Sequence, residues 1–338
     1  MKSKNTIVIL SALVFIGVIG GCSFVPSNEI ELREQSVVNI PLSGSITKKK
    51  AELSGMAWIG DTLILMPQYP EDFGPNEGAL FAIPKRTILD FLDGTSKEPI
   101  SPSMITLHAP GLEAGIQDYE GFESIGVLNQ NIYMTIESGK NNHMMGYLVS
   151  GTISSDLTEI VLDTTHIVEI HPPIQLDNRT DEALVITQDK IYTFFEVNGV
   201  NLNPQPAAHV FGLDLTPQGT ISFPNLEYRV TDAAIGSNGE IWVINKVSPD
   251  DTELFTLSDP LLEKYDNRTT LGYVQQVERL VELDFSTSGI KLADNPPIQL
   301  ALETDPRNWE GLVLLDNRGF LLVTDKSPDT LLGFIPMP

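Results

Sequence analysis

Short apolar runs separated by polar turns fill most of this chain, and one small motif recurs in front of them. The motif is an acidic residue or serine, then a small residue, then an apolar residue. Its copies begin at Ser54, Glu120, Glu182, Asp232 and Glu310. Each copy precedes an apolar stretch, a polar turn and a second apolar stretch rich in β-branched and aromatic residues. This pattern is typical of β-hairpins and predicts five of them.

Further strands are predicted after each hairpin. Third strands are expected at residues 79–83, 145–150, 208–213, 277–285 and 331–335. Fourth strands are expected at residues 104–108, 160–170, 219–223 and 290–302. The fifth hairpin is followed by a third strand only, and the segment 36–41 is expected to supply its fourth strand. The best helical candidate is the segment 85–91.

Four strands in each repeat predict an all-β fold, a β-propeller of five four-stranded blades closed by the N-terminal strand. Pairing the two chain ends removes the exposed edges that an open array of sheets would leave. Six blades are also possible, because the interval between Asp232 and Glu310 is long enough to hold a degenerate blade.

The N-terminus has the layout of an export signal. Lys2 and Lys4 precede an apolar stretch at residues 7–19, and Gly20-Gly21-Cys22 follows it. About 13 apolar residues are too few to cross a bilayer, which needs roughly 20. The segment resembles the lipobox of bacterial lipoproteins, and the alternative is an ordinary secretory peptide with a chance cysteine.

The lipobox resemblance implies cleavage before Cys22 and a diacylglycerol on its thiol. Residues 1–21 are then the signal peptide, 22–36 a lipidated tether and 37–338 the propeller. We expect a lipid-anchored, extracytoplasmic protein of the bacterial cell envelope. Ser23 stands where an aspartate is associated with inner-membrane retention, which favours the outer membrane in a host with two membranes. A lone cysteine excludes an internal disulfide.

Charge excludes one class of partner. The chain has 45 acidic and 21 basic residues and a formal charge of −24. Such a surface repels nucleic acid phosphates, so nucleic-acid binding is excluded, whereas cations are attracted. We expect a monomer.

The repeat also predicts where chemistry lies. In a propeller the first strand of each blade lines the central channel, and its start opens on the same face as the end of the second strand. The motif residues therefore form a ring at one mouth, and Trp309 lies beside Glu310. The ends of the second strands add Gln68, Glu137, Glu196, Asn245, Lys246, Asp325 and Lys326.

A ring of carboxylates and amides is suited to a hard cation, because like charges held close together need neutralisation. Calcium takes six to eight oxygen ligands, and Glu120, Glu182, Asp232 and Glu310 are the predicted ligands. The alternative is that these acids hold neighbouring blades together by hydrogen bonds. Lys246 and Lys326 could equally neutralise the ring as salt bridges. Zinc is not expected, because the five histidines show no close ligand pair.

The segments 53–57, 118–122 and 308–312 resemble the phytase-like esterase propellers and the related calcium-dependent lactonases. Glu120 and Glu310 match the Glu-Gly motif fully, Glu182 and Asp232 lack its glycine, and Ser54 lacks its acid. The resemblance implies calcium-dependent hydrolysis of an ester, lactone or phosphoester. The basic clamp of phytases is not found, so phytate is not expected as the substrate.

Two functions of different class remain. The first is a hydrolase for a small-molecule ester or anionic substrate, in which calcium polarises the reacting carbonyl or phosphoryl oxygen. The second is a non-catalytic module that binds a protein or polymer, with Tyr69, Tyr119 and Trp309 as candidate contacts. Arg179 could reach the rim and hold an anionic substrate, or form a surface salt bridge.

Overall fold

The computed structural model describes residues 34–47, 51–140, 143–251, 254, 258–265, 276–325 and 328–337. The predicted signal peptide, Cys22 and Lys326 lie outside these residues, so the lipoprotein assignment stays a prediction. Within the described part of the chain, no helix is long and apolar enough to cross a membrane.

Twenty-one strands are formed by the described residues, and after β1 they fall into five successive units of three to five strands. The chain begins with β1 (Val38–Ile40). The first unit contains β2 (Leu53–Ile59), β3 (Thr62–Pro67), β4 (Ala79–Pro84) and β5 (Ser103–His108). The second contains β6 (Tyr119–Leu128), β7 (Asn131–Lys140), β8 (His143–Ile153) and β9 (Glu159–Ile170). The third contains β10 (Asp181–Ile186), β11 (Lys190–Phe195), β12 (Ala207–Gly212) and β13 (Pro217–Ser222).

The fourth unit contains β14 (Arg229–Ile235), β15 (Ile241–Val247), β16 (Val277–Ser286) and β17 (Gly289–Leu292), with the short β18 (Ile298–Gln299) on β16. The fifth contains β19 (Trp309–Leu315), β20 (Gly319–Thr324) and β21 (Leu332–Pro336). The predicted strand at 290–302 is therefore divided into β17 and β18. Pro296 and Pro297 lie between them, and proline cannot donate a ladder hydrogen bond.

Each unit is an antiparallel sheet in chain order, and β1 completes the fifth. Val38 pairs with Phe334 and Ile40 with Leu332, which confirms the predicted pairing of the N-terminal strand with the third strand of the last unit. Outer strands also join some units, because β5 pairs in parallel with β9 and β13 with β17. The described sheets therefore contain four, nine and eight strands.

The units are arranged in a ring. The first strands β2, β6, β10, β14 and β19 each contact the next, and β19 contacts β2. Clusters of buried apolar side chains fill the spaces between neighbouring units all the way round. The all-β prediction is confirmed, and radially packed antiparallel sheets around a channel are the arrangement of a β-propeller.

Three short α-helices occur in the described residues, α1 (Lys85–Leu92), α2 (Leu112–Gly115) and α3 (Pro260–Tyr265). Helix α1 confirms the helical candidate at 85–91. Its Ile88 is fully buried, and Arg86 lies 2.7 Å from Asp90 one turn later. Helix α3 belongs to the insertion between β15 and β16.

Candidate functional site at the channel mouth

The recurring motif is a β-bulge. In each first strand the ladder register shifts at the motif, so that the first strand has an extra residue there relative to its partner. The extra residues are Ser54, Glu120, Glu182, Thr231 with Asp232, and Glu310. A bulge leaves its residue unpaired in the ladder and redirects its side chain. The motif therefore places a polar side chain at the start of every first strand, at one mouth of the channel.

The motif glycines stand where neighbouring strands approach closely. Gly121 has a φ of 112°, and a Cβ atom there would lie 2.7 Å from the carbonyl oxygen of Gln68. That oxygen accepts a hydrogen bond from the Phe122 amide, so the approach joins the first unit to the second. A side chain at Gly121 would therefore separate two units at the mouth.

Arg229 lies among the acids of this mouth. Its Nη2 atom is 3.3 Å from Glu182 Oε1 and 3.7 Å from Glu310 Oε1, and its Nε donates a hydrogen bond to Glu196. Arg229 belongs to the fourth unit, Glu182 and Glu196 to the third, and Glu310 to the fifth. One guanidinium of the fourth unit thus contacts two predicted calcium ligands and a predicted rim residue from the third and fifth units.

Lys246 is the second buried cation. Its Nζ atom lies 3.1 Å from Glu310 Oε1 and donates a hydrogen bond to Asn308 Oδ1. Burial raises the pKa of Glu310 to about 7, although Lys246 and Arg229 oppose the shift and Glu182 adds to it. Burial and the like charge of Arg229 lower the pKa of Lys246. Glu310 therefore exchanges a proton near neutral pH.

Arg179 is the third buried cation at this mouth, and it forms ion pairs with Glu196 and Asp251. Arg179 Nε lies 3.3 Å from Glu196 Oε2, and Arg179 Nη2 donates to Asp251 Oδ1 at 3.1 Å. Asp251 comes from the insertion between β15 and β16 and also lies 3.8 Å from Arg229. Arg179 thus reaches the mouth, as one of its two sequence interpretations held, and it is buried rather than on the surface.

The second unit contributes Glu137 and Glu123. Glu137 is 2% exposed and accepts a hydrogen bond from Thr180 Oγ1 at 2.9 Å. Burial and the charge of Glu182 raise its pKa to about 7. Glu123 is the extra residue of a second bulge in β6 and accepts from Gln68 Nε2 at 2.9 Å. Burial and Glu137 raise the pKa of Glu123 well above its ordinary value.

Glu120 takes a different position from the other motif acids. It is half-buried, and its backbone carbonyl, 3.1 Å from Gln68 Nε2, is the hydrogen-bonding group it presents to the first unit. Burial raises the pKa of Tyr69, and the nearby charge of Glu120 raises it further. Glu123 is the acid of β6 whose charge interacts with Glu137, Glu182 and Glu310.

Asp232, Ser54 and Asn245 bond to backbone. Asp232 accepts from the Leu312 amide at 2.6 Å, and Ser54 Oγ donates to the Phe122 carbonyl at 2.6 Å. Both bonds link first strands of neighbouring units, which is the interblade role that the sequence left open. Asn245 Nδ2 donates to the carbonyls of Glu227 and Arg229 at 2.8 and 3.1 Å.

The remaining residues predicted at the rim differ in their positions. Asp325 accepts from Asn308 Nδ2 at 2.9 Å and so lies one contact away from Lys246. Trp309 is 1% exposed, and its indole nitrogen donates to Glu278 Oε2 at 2.8 Å. It is therefore a packing residue and not an exposed contact for a partner. Tyr69 and Tyr119 are half-buried.

We name the "charged mouth" the set formed by its acids and bases: Glu123, Glu137, Glu182, Glu196, Asp232, Asp251, Glu310, Arg179, Arg229 and Lys246. Its carboxyl groups outnumber its cations. Among the described residues, no three or more His, Cys, Asp or Glu side chains are placed to hold a metal ion together. Arg229, Lys246 and a backbone amide contact three of the four carboxylates predicted as calcium ligands, Glu182, Asp232 and Glu310. A calcium ion would have to compete with these protein groups, and calcium binding stays a prediction from the sequence.

The opposite end of the channel has different chemistry. A cavity of about 420 Å³ opens there between the ends of the first strands. Its wall includes the apolar Trp58, Val127, Ile186 and Leu314 and the polar Ser237, Asp316 and Asn317, and Asp316 is the ionisable residue among its lining residues. Ionisable chemistry in the channel is therefore concentrated at the charged mouth.

Comparisons with known proteins add little. No family model matches this chain, and no curated protein sequence matches it. Among solved structures, the GH43 endo-arabinanase from Bacillus licheniformis is 12% identical with a TM-score of 0.47, over 87% of this chain and 96% of that chain. The GH62 α-L-arabinofuranosidase catalytic domain from Coprinopsis cinerea is 10% identical with a TM-score of 0.46, over 90% and 98%.

An exo-β-1,3-galactanase from Phanerochaete chrysosporium is 9% identical with a TM-score of 0.47, over 89% of this chain and 64% of that chain. These similarities are too low to bear on activity. The fold assigned above rests on strand pairing and contacts alone.

Sequence reasoning missed Glu123, Arg229 and Asp251. Arg229 lies three residues before Asp232, where Arg179 lies three residues before Glu182, so a basic residue at this spacing was a readable signal. Glu123 was hidden because a second bulge changes which side chain of β6 faces the channel. Asp251 comes from an insertion with no counterpart in the other units.

Proposed function

We propose that this chain is a lipid-anchored, extracytoplasmic hydrolase built on a five-bladed β-propeller, with its reaction at the charged mouth. Five blades follow if each four-stranded unit is one blade, with β1 as the last strand of the fifth. The anchor at Cys22 follows from the lipobox resemblance.

One observation carries the assignment of a hydrolase. Glu137 and Glu310, buried in the same mouth, both have a pKa of about 7. A general acid or base is most effective when its pKa lies near the operating pH, and perturbed carboxyls cluster at active sites. Surface acids of ordinary pKa could not keep a proton at neutral pH to donate.

The chemistry needs no group beyond the side chains and water. We assign Glu137 as the base that takes a proton from water as its oxygen attacks the carbonyl carbon or phosphorus of the substrate. The bond to the leaving oxygen breaks, and Glu310 gives that oxygen its proton. Arg229 and Lys246 stabilise the negative charge that develops on the substrate oxygen. The substrate is an ester, a lactone or a phosphoester.

Hydrolysis of p-nitrophenyl acetate, butyrate and phosphate, together with small lactones, tests this proposal. Turnover of at least one substrate is expected, with a loss of roughly 10²- to 10⁴-fold in Glu310→Gln and Glu137→Gln. Glu159→Gln, an exposed acid on β9, is the matched control and should keep full activity. Turnover that survives both mouth variants would refute the assignment of the site.

A non-catalytic binding module is the second candidate. It is favoured by the contacts that Arg179, Arg229 and Lys246 already make to carboxylates, since a self-neutralised mouth can also serve as rigid structure. This alternative predicts no turnover on the same panel, with stability lost in the mouth variants.

A further inference from the structure

Two cavities of about 390 and 450 Å³, which together we call the groove, lie beside the charged mouth and share the lining residues Asp305, Arg307 and Pro328. The first is also lined by Lys246, whose Nζ contacts Glu310, and by Asn308, which accepts a hydrogen bond from Lys246. Each cavity alone has the size of a small-ligand site, so together they would hold several monomers of a chain.

The floor of the groove is rigid. Arg307 is buried, lies 2.7 Å from Glu278 Oε2 and donates to the Ala301 carbonyl. Its guanidinium lies 5.2 Å above the Trp309 ring, and the Trp309 indole donates to the same Glu278. A floor fixed by ion pairs and stacking is pre-organised, which lowers the entropic cost of binding.

The charge of the groove disfavours anions. Its described basic residues, Lys246 and Arg307, are both ion-paired, to Glu310 and Glu278. The lip adds the exposed carboxylates Glu303 and Asp305. Polyanionic chains would therefore be repelled, whereas hydroxyl groups can donate hydrogen bonds to these carboxylates.

Backbone pairing disfavours an extended peptide. Peptides commonly bind by adding a strand to an open sheet edge. Beside β1, Gln35 already pairs with Leu300 and Leu42 with Ile100. These bridges flank β1 and leave an open edge of only its three residues, a short template for strand addition. Side-chain hydrogen bonding is therefore the favoured means of recognition.

We propose that this groove binds an uncharged, polyhydroxylated chain, an oligosaccharide, whose reacting bond lies at the charged mouth. The inference rests on the proposed function for the site of reaction, but the binding itself does not require it. It narrows the ester of the proposed function to an ester of a glycan and excludes polyphosphates.

Affinity electrophoresis of the full-length protein in detergent tests the proposal. The probes are soluble arabinan, galactan, xylan, mannan, β-glucan and dextran, with polygalacturonate and poly-L-lysine as charged chains. Retardation by at least one neutral polysaccharide is expected. Glu303→Ala with Asp305→Ala should weaken it about tenfold, since two charged acceptors are lost. Asp284→Ala, an exposed acid at the other end of β16, is the matched control and should leave binding unchanged.

Three results would overturn the inference: no retardation by any neutral polysaccharide, retardation by a charged chain alone, or equal binding by the lip variant and wild type. Glu310→Gln separates the two proposals, because it should bind the polysaccharide normally while its hydrolytic rate falls by roughly 10²- to 10⁴-fold. Binding by wild type without hydrolysis would refute the hydrolase and leave the groove assignment intact.

Discussion

Lys246 Nζ lies 3.1 Å from Glu310 Oε1 and joins the second strand of the fourth unit to the first strand of the fifth. Both side chains are nearly inaccessible to solvent, so their interaction is weakly screened. The contact places a cation beside a motif acid at the mouth. Burial raises the pKa of Glu310 to about 7, and Lys246 limits that rise.

Removing the charge of Lys246 should move the titration of Glu310. Lys246 lowers the pKa of Glu310 below the value that burial alone would produce. In Lys246→Gln that pKa should rise above about 7, and the limb of the pH–rate profile governed by Glu310 should move up by about one unit. Lys246→Arg keeps the charge and should keep the profile. Carboxyl NMR titration gives the same readout without a substrate, and an unmoved titration in Lys246→Gln would contradict this assignment.

Arg229 should dominate the stability of the mouth. Arg229→Met leaves Glu182 and Glu196 buried without their shared cation, which should cost about 3–5 kcal/mol of unfolding free energy. Arg86→Met, whose side chain is 80% exposed in its pair with Asp90, should cost below about 1 kcal/mol. Urea unfolding of both variants measures the difference, and equal losses would show that Arg229 contributes no more than a surface residue.

The protein should be more stable in mild acid than in mild alkali. Glu137 and Glu310 titrate at about 7 when folded and near 4.5 when unfolded. Between these pH values the folded state binds more protons than the unfolded state. The two carboxyl groups therefore contribute their full stabilisation below about pH 4.5, and this contribution is lost as the pH rises through about 7. Each pKa unit corresponds to roughly 1.4 kcal/mol.

Burial lowers the pKa of His209, but Asp181 outweighs burial and raises that pKa above its ordinary value of 6.5. The stabilisation by His209 is therefore also lost as the pH rises above 6.5. Urea midpoints at pH 5 and pH 8 measure the effect. The double variant Glu137→Gln with Glu310→Gln should flatten the dependence, and a midpoint that rises towards pH 8 in wild type would contradict the raised carboxyl pKa values.

Calcium binding, as predicted from the sequence, would have to compete with Lys246 for Glu310. If the ion enters the mouth, calcium at 100 times its dissociation constant should stabilise the fold by roughly 2.7 kcal/mol. The dissociation constant should be lower in Lys246→Gln than in wild type, because the competing cation is gone. Thermal unfolding in calcium against EDTA measures both. An unfolding temperature that calcium leaves unchanged in both proteins would show that calcium does not bind at this site.

The closing strand should be essential to the ring. Ile40 is fully buried in the cluster between the fifth and first units, whereas Val38 in the same strand is 44% exposed. Ile40→Ala should cost about 2–5 kcal/mol, and Val38→Ala below about 0.5 kcal/mol. Denaturant titration of the two variants is the test. A small loss for Ile40→Ala would mean that β1 is dispensable for closure.

The sequence by itself determined the strands and their order. Turn residues and β-branched runs are local signals, so the hairpin of Glu310, the third strand at β21 and the return of β1 to complete the last sheet were all readable. The recurring acid was readable too, because every first strand uses the same bulge to redirect the same position.

Only the tertiary structure decided which groups form ion pairs and hydrogen bonds with those acids. Arg229 meets Glu182, Glu196 and Glu310 because the third, fourth and fifth units converge at the mouth, and the burial that raises the pKa of Glu310 arises from the same convergence. These contacts join residues about 30 to 80 positions apart in sequence. They depend on packing in the ring, and local patterning contains no information about packing of that kind.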